Sequence, residues 1–463
     1  MIALLFRLPY FFQETINWDE GTLILMGQSI LDGHLPYTQL WDLKPFFAFL
    51  NYSVFVLISG KTIWGIRLAG LFYLSISAFF CYYFAKRIFG QAVAGLSAFF
   101  AILIASSIPS GQATMTEIVA LPYLCASLFC FSAQPRSRFH ICSGAVLLAL
   151  AANVRSNLAI VAIGLSIYLA VDCFLTTKSV RAVLKEQGLY YASGFGVTAI
   201  LLIPYLYTGN FNEWWAVNIQ GVLTYALTGK SIGGALYAQI LNLISTYSDP
   251  SLWLLGGVTW GGAIIALVSL PYSWKRLSSN QRRRYSLLLV YGVLVLFSII
   301  RGGMGFSHYL IQLAPFVAIL SAQFLRPLVT HRLRRYAFVA VLAGITLSFD
   351  ATVKGYRTLA KSVIQKQELP SGSTSKIARY LKDEGLAAED EIYILNYRHI
   401  VYWLVDKQPP TRCVTHPSIL MKRRLLPYCS GDGDAAQATP VSELLKILKL
   451  RPRYIIQSSN PPF

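Results

Sequence analysis

The chain is poor in charge, and poorest in negative charge. Of its 463 residues only 13% are Asp, Glu, Lys or Arg, and 40 basic residues face 21 acids. Soluble domains carry about 25% charged residues, roughly twice this share. Cysteine is sparse as well, seven in all, which excludes a disulfide-stapled scaffold. No CxxC or HxxxH spacing suggests a structural metal site. HExxH and Walker A motifs are missing too, so zincin and P-loop chemistry have no seat. The Gly194-x-Gly196 pair lies inside an apolar run and reads as helix packing. What the chain has in quantity is apolar surface: 55% hydrophobic residues, 14% aromatics and a mean hydropathy of +0.51. So few charges cannot cover so much apolar surface in water, and the composition defines a polytopic α-helical membrane protein.

Eleven apolar segments are readable, at about 1–13, 66–85, 91–108, 118–134, 141–154, 158–175, 188–206, 251–272, 286–301, 309–325 and 336–352. Several approach the ~20 residues that cross a hydrocarbon core. The first, which contains Arg7, is short and reads as a curtailed first transmembrane helix. The loops between segments alternate in charge. One set holds sixteen cations, among them Lys86, Arg87, Arg136, Arg283 and Arg284; the other holds five, Lys44, Lys61, Arg155, Lys230 and Arg301. Positive charge stays on the cytoplasmic side. With an odd number of crossings the N-terminus is then inside and the C-terminal tail outside, in a bacterial inner membrane. The surplus of basic residues is therefore topology, and nucleic acid is not an expected partner.

Two domains follow. Residues 1–353 form the membrane domain, with a long first outer loop over 14–65; residues 354–463 form a small extracytoplasmic α/β domain. In the first loop, residues 20–32 suit a short amphipathic helix ended by Gly33. Residues 46–59, after Pro45, suit a helix lying in the interface or entering the membrane partway. The aromatic stretch 207–250 reads either as an interfacial helix or as the wall of a lipid-substrate groove. In the tail, 375–383 and 441–449 read as helices, and 391–395 and 454–456 as strands. Cys413 and Cys429 both fall outside, where an oxidising compartment permits a disulfide.

Ionisable residues at the margin of a membrane domain are costly and mark pathways or sites. Asp19-Glu20 follows the first segment, and a carboxylate in a lipid-adjacent cavity is suited to general-base work. Lys44, in a Pro-rigid turn with Asp42, can act as a fixed charge for a phosphate, or as a snorkelling interfacial Lys. Glu117 opens the fourth segment, either as a helix N-terminal acid or as a second catalytic or metal-binding acid. Arg155 and Arg301 sit between apolar runs, and Arg301 and His308 bracket a glycine-rich loop. Arginine grips phosphate with two donors at once; the alternative for both is a helix-end anchor.

Taken together, Trp18-Asp19-Glu20-Gly21, Gly33-His-Leu-Pro36-Tyr37, Asp42-Leu-Lys44-Pro45, Thr116-Glu117, His308-Tyr309 and, in the tail, Asp406-Lys-Gln-Pro-Pro410-Thr-Arg412 resemble a known group. It is that of the bacterial relatives of dolichyl-phosphate-mannose protein mannosyltransferases, glycosyltransferase families 39 and 83, including the lipid A aminoarabinose transferases. The resemblance implies the glycosyltransferase C superfold with an outer-face site. It implies Asp19 as catalytic acid with Glu20 beside it, Glu117 as the second-loop acid, and Lys44 as a donor-phosphate contact joined by Arg155, Arg301 and His308. It places Tyr37, Asp42 and Tyr309 along the substrate groove. Many relatives carry two prolines after the Lys; here Pro45-Phe46 alters local shape.

The expected activity is transfer of a sugar from a polyprenyl-phosphate donor to a lipid, polysaccharide or protein acceptor, with inversion. A divalent metal ion is left open as a cofactor. The competing class is a transporter or flippase for a glycolipid, which predicts an internal repeat; none is seen.

Overall fold

The computed structural model describes residues 1–14, 16–330, 336, 339, 343–344, 349–366, 372–395, 397–414, 428–429 and 439–457. The chain opens with helix α1 (Ile2–Arg7) and a 3-10 turn (Leu8–Phe12). The first loop folds as two helices, α2 (Trp18–Leu31) and α3 (Phe46–Ser59). Six longer helices follow: α4 (Ile63–Phe89), α5 (Gln91–Ser107), α6 (Thr116–Phe131), α7 (Arg138–Val154), α8 (Leu158–Thr177) and α9 (Val180–Tyr207).

Local sequence sets these boundaries. Asn17 caps α2 by accepting the Asp19 N–H at 2.9 Å. Pro45 sits at the N-cap of α3, where its missing N–H costs nothing. Ser137 with His140, and Ser278 with Gln281, form reciprocal caps at the starts of α7 and of the Ser279–Arg301 helix.

Among the described residues, four helices are long and apolar enough to cross a membrane: α4, α8, α9 and Ser279–Arg301. The segments expected at 91–108, 118–134 and 141–154 become the shorter helices α5, α6 and α7, and the one at 251–272 is interrupted by a π-turn at Gly257–Gly261. Most of the segment expected at 336–352 lies outside the described residues. Along α9 only Tyr190 and Tyr205 are buried, while Phe195, Ile200, Ile203 and Leu206 are exposed. Such an apolar exposed face suits hydrocarbon.

Helix α2 differs from expectation. It is not amphipathic: every residue from Glu20 to Gly27 is buried. It is sandwiched between α3 and the C-terminal segment, so both faces need apolar or small residues. A Cβ at Gly27 would stand 2.7 Å from the Tyr52 Cβ, and one at Gly21 3.1 Å from the Ile400 nitrogen. Arg7 is wholly buried and donates to the carbonyls of Gly111 (2.9 Å) and Gln112 (2.8 Å), in the loop before α6.

In the tail, helices Ser373–Asp383 and Pro440–Lys449 accompany a two-stranded parallel sheet, β1 (Ile392–Leu395) with β2 (Tyr454–Gln457). The register pairs Ile392 with Tyr454 and Leu395 with Gln457. Ile392, Tyr393 and Ile394 are buried and supply the small core. Cys413 and Cys429 form a disulfide with Cα atoms 5.4 Å apart.

Candidate active site

Successive helical residues point about 100° apart, and the acidic pair at the start of α2 is split by that geometry. Glu20 turns into the protein and is wholly buried. It pairs with Arg67, on the first turns of α4, and accepts the Thr114 N–H at 2.7 Å. Arg67 also donates to the carbonyls of Gln13 (2.9 Å) and Glu14 (3.1 Å). This assembly ties α2, α4 and the loop before α6 together. Sequence reasoning missed Arg67 because it lies at the edge of an apolar run; a lone arginine there needs a buried partner, and that was the available signal.

Asp19 turns the other way. Its carboxylate stands 3.4 Å from the Lys44 ammonium, which also meets Asp42 at 3.0 Å. The Asp19 side chain is 33% exposed and that of Lys44 21%, against 4% for Asp42. Asp19 and Lys44 thus look out from the protein, and Asp42 steadies the lysine from within. Burial disfavours the Lys44 charge, but Asp19 and Asp42 outweigh it and hold the ammonium above its ordinary pKa. Burial pushes the Asp42 carboxyl up, aided by Asp19 and opposed by Lys44.

Glu117 and Arg155 form a second unit. Glu117, in the first turn of α6, is buried and pairs with Arg155, which interrupts the chain between α7 and α8. Arg155 donates to Thr116 Oγ1 at 2.8 Å and lies over the Tyr309 ring, 4.5 Å from its centroid. His308 Nε2 is 3.6 Å from Glu117 Oε1. Burial is the main influence on His308 and lowers its pKa, so the imidazole is neutral at pH 7. Its titration also responds to Glu117 and Asp19, which favour the charged form, and to Arg155 and Lys44, which oppose it. Asp19, Lys44, Glu117, Arg155 and His308 therefore share one electrostatic neighbourhood. Tyr225, one of the aromatics of the 207–250 stretch, hydrogen-bonds Tyr309 and lies near Asp19 and Arg155.

Two other expectations differ. Tyr37 does not line an open groove: it is wholly buried, with φ +73°, and its ring stacks on Tyr205. Its hydroxyl donates to the Lys44 carbonyl at 2.7 Å, so it shapes the turn from below. Arg301 is exposed at the end of its helix and makes none of the hydrogen bonds described for this cluster. The glycine turn after it leads away: Gly303, φ +70°, accepts the Lys230 N–H at 2.8 Å.

A divalent ion does not fit the donor set. Among the described residues no three of His, Cys, Asp and Glu stand together as ligands. Asp19 and Asp42 face Lys44, Glu20 faces Arg67, and Glu117 faces Arg155.

Residues 43–208 match the family described as dolichyl-phosphate-mannose-protein mannosyltransferase. No curated protein matches the chain by sequence. Among solved structures, the fold is similar to ArnT from Cupriavidus metallidurans bound to undecaprenyl phosphate, with TM-score 0.63 and 14% identity over 88% of this chain and 84% of that one. It is similar to the Archaeoglobus fulgidus oligosaccharyltransferase in complex with Zn and sulfate, TM-score 0.58 and 12% identity over 98% and 66%. The archaeal oligosaccharyltransferase AglB with an inhibitory peptide and a dolichol-phosphate gives 0.54 and 12%, over 98% and 68%. The chain thus shares the fold of these membrane proteins, and its residues 43–208, which carry Lys44, Glu117 and Arg155, match the family described as dolichyl-phosphate-mannose-protein mannosyltransferase.

Proposed function

We propose that this protein transfers a sugar from a polyprenyl-phosphate donor to an acceptor hydroxyl or amine on the outer face of a bacterial inner membrane. One observation carries the reading: a carboxylate and an ammonium, Asp19 and Lys44, stand 3.4 Å apart on an accessible edge, with a neutral imidazole and a paired arginine in the same neighbourhood. The undecaprenyl phosphate in ArnT and the dolichol-phosphate in AglB support a lipid-phosphate donor.

The roles follow from charge. Lys44, held by Asp42, meets the donor phosphate, and Arg155 adds a second cation above Glu117. Asp19 takes the proton from the acceptor as its oxygen or nitrogen attacks the anomeric carbon. The bond from that carbon to the phosphate oxygen breaks, its electron pair leaves with the polyprenyl phosphate, and the centre inverts. The leaving group is already a phosphate, so fixed cations stabilise its developing charge without a general acid. Glu20 is a positioning residue: with Arg67 it sets the pitch of α2 and hence the direction of Asp19. In this topology the N-terminus is cytoplasmic, and residues 354–463 form an extracytoplasmic domain beside the site.

The test is transfer from polyprenyl-phosphate sugars in proteoliposomes. Asp19→Asn should lose about 10²–10⁴-fold in turnover. Turnover near wild type would remove Asp19 as the base.

A further inference from the structure

The Lys44 turn is not held by the first loop alone. Arg412 reaches it from the far end of the chain. Its Nη2 donates to the Tyr37 carbonyl and to Glu213 Oε2 at 2.9 Å, and its own carbonyl accepts the Trp41 N–H at 2.9 Å. Tyr37 in turn donates its hydroxyl to the Lys44 carbonyl. One side chain thus joins three segments far apart in sequence: the turn carrying Lys44, the short Phe211–Trp215 helix and the C-terminal segment. The segment is itself fastened. Cys413 is bonded to Cys429, the Val414 carbonyl accepts the Thr22 hydroxyl at 3.2 Å, and His399 lies against the ring of Trp18, next to Asp19.

The Tyr37 carbonyl explains the need for a cation. Tyr37 is a non-glycine residue in the left-handed region, a conformation that persists only when its surroundings impose it. A buried turn must also satisfy each backbone acceptor. A charge-assisted bond from Arg412 does both, and Glu213 keeps the guanidinium in place.

We infer that Arg412 is a positioning residue for donor binding: through Tyr37 it fixes the Lys44 ammonium where the lipid phosphate must meet it, so the C-terminal segment is a working part of the transfer site. This rests on the reading of Lys44 as the phosphate contact. It goes further in assigning part of donor affinity to a residue outside the membrane helices.

The experiment uses the full chain in proteoliposomes, with undecaprenyl phosphate as the probe, its binding followed by tryptophan fluorescence. Arg412→Ala should weaken binding on the order of ten- to a hundredfold, the scale of a misplaced binding group. Arg412→Lys, which keeps the charge but not the fork, should fall between it and wild type. Glu213→Gln keeps an acceptor and should lose only a few-fold. A role limited to folding would lower the yield of folded protein and leave the affinity of that fraction at the wild-type value, overturning the inference. Should Arg412→Ala fail to fold, the Lys and Glu213→Gln variants carry the test, and wild-type affinity in both overturns it. If Lys44→Ala loses binding while the Arg412 variants keep it, the inference fails and the phosphate reading stands. If Lys44→Ala also keeps it, the phosphate reading fails first.

Discussion

The two ends of the helical bundle use the same residue types to opposite effect. At the end carrying most of the loop cations, one acid serves two arginines: Asp172 meets Arg136 at 2.5 Å and Arg283 at 2.8 Å. Neighbouring arginines spend their donors on helix ends. Arg284 donates to the Ser132 and Arg87 carbonyls at 3.1 and 2.9 Å, and Arg87 to the Phe129 carbonyl at 2.7 Å. Each of these charges has a structural partner, and the result is a clasp. At the other end the balance reverses around Lys44, where two carboxylates share one ammonium and the outward pair stays accessible. A clasp consumes its charges, whereas a site keeps some within reach of a ligand.

That contrast can be broken or sharpened by mutation. The largest effect is expected at the most buried pair. Glu20→Gln strands Arg67, and removing one partner of a buried ion pair costs about 3–5 kcal/mol. Chemical denaturation in mild detergent should show a loss of that size. Unchanged stability with abolished turnover would instead make Glu20 part of the chemistry. At the clasp, Asp172→Asn should cost about 1.5–3 kcal/mol, the worth of charge-assisted hydrogen bonds. Turnover per folded molecule should stay near wild type, and a specific loss of catalysis would erase the distinction between the two ends.

Lys44→Ala removes a phosphate contact of similar worth, so the donor KM should rise about ten- to a hundredfold. An unaltered donor dependence argues that Lys44 only steadies the acids.

The smallest effect concerns pH. Burial lowers the His308 pKa below that of the unfolded chain. Between the two values the unfolded state binds more protons, so stability rises with pH and is lost as pH falls below about 6.5. His308→Gln should flatten that acid limb in thermal unfolding between pH 7 and pH 5. An identical limb in the variant assigns the loss to other groups.

Much of this was legible because it is local. The tail helices at 375–383 and 441–449 and the strands at 391–395 and 454–456 follow from periodicity, and the observed elements differ from them by a residue or two. The helix after Pro45 is equally local. Helix α2 was misread as amphipathic because its alternation of small, polar and apolar residues describes an element packed on two sides, and the second side is the C-terminal segment. Asp19 and Glu20 looked like a pair because they adjoin in sequence, although adjacent helical residues diverge. Arg412 stood in the tail motif, but nothing tied it to the Lys44 turn, since its partners lie 375 and 199 positions away.

Composition and loop charge by themselves determined that this chain lives in a membrane, because few charges cannot solvate so much apolar surface and positive loops stay on one side. They also determined that acids and cations would gather at the opposite end. Beyond the local Asp42–Lys44 turn, which acid meets which cation was decided by tertiary structure. A side chain's direction depends on its turn of helix and on what packs against it, and for Glu20 and Arg412 those partners come from distant parts of the chain.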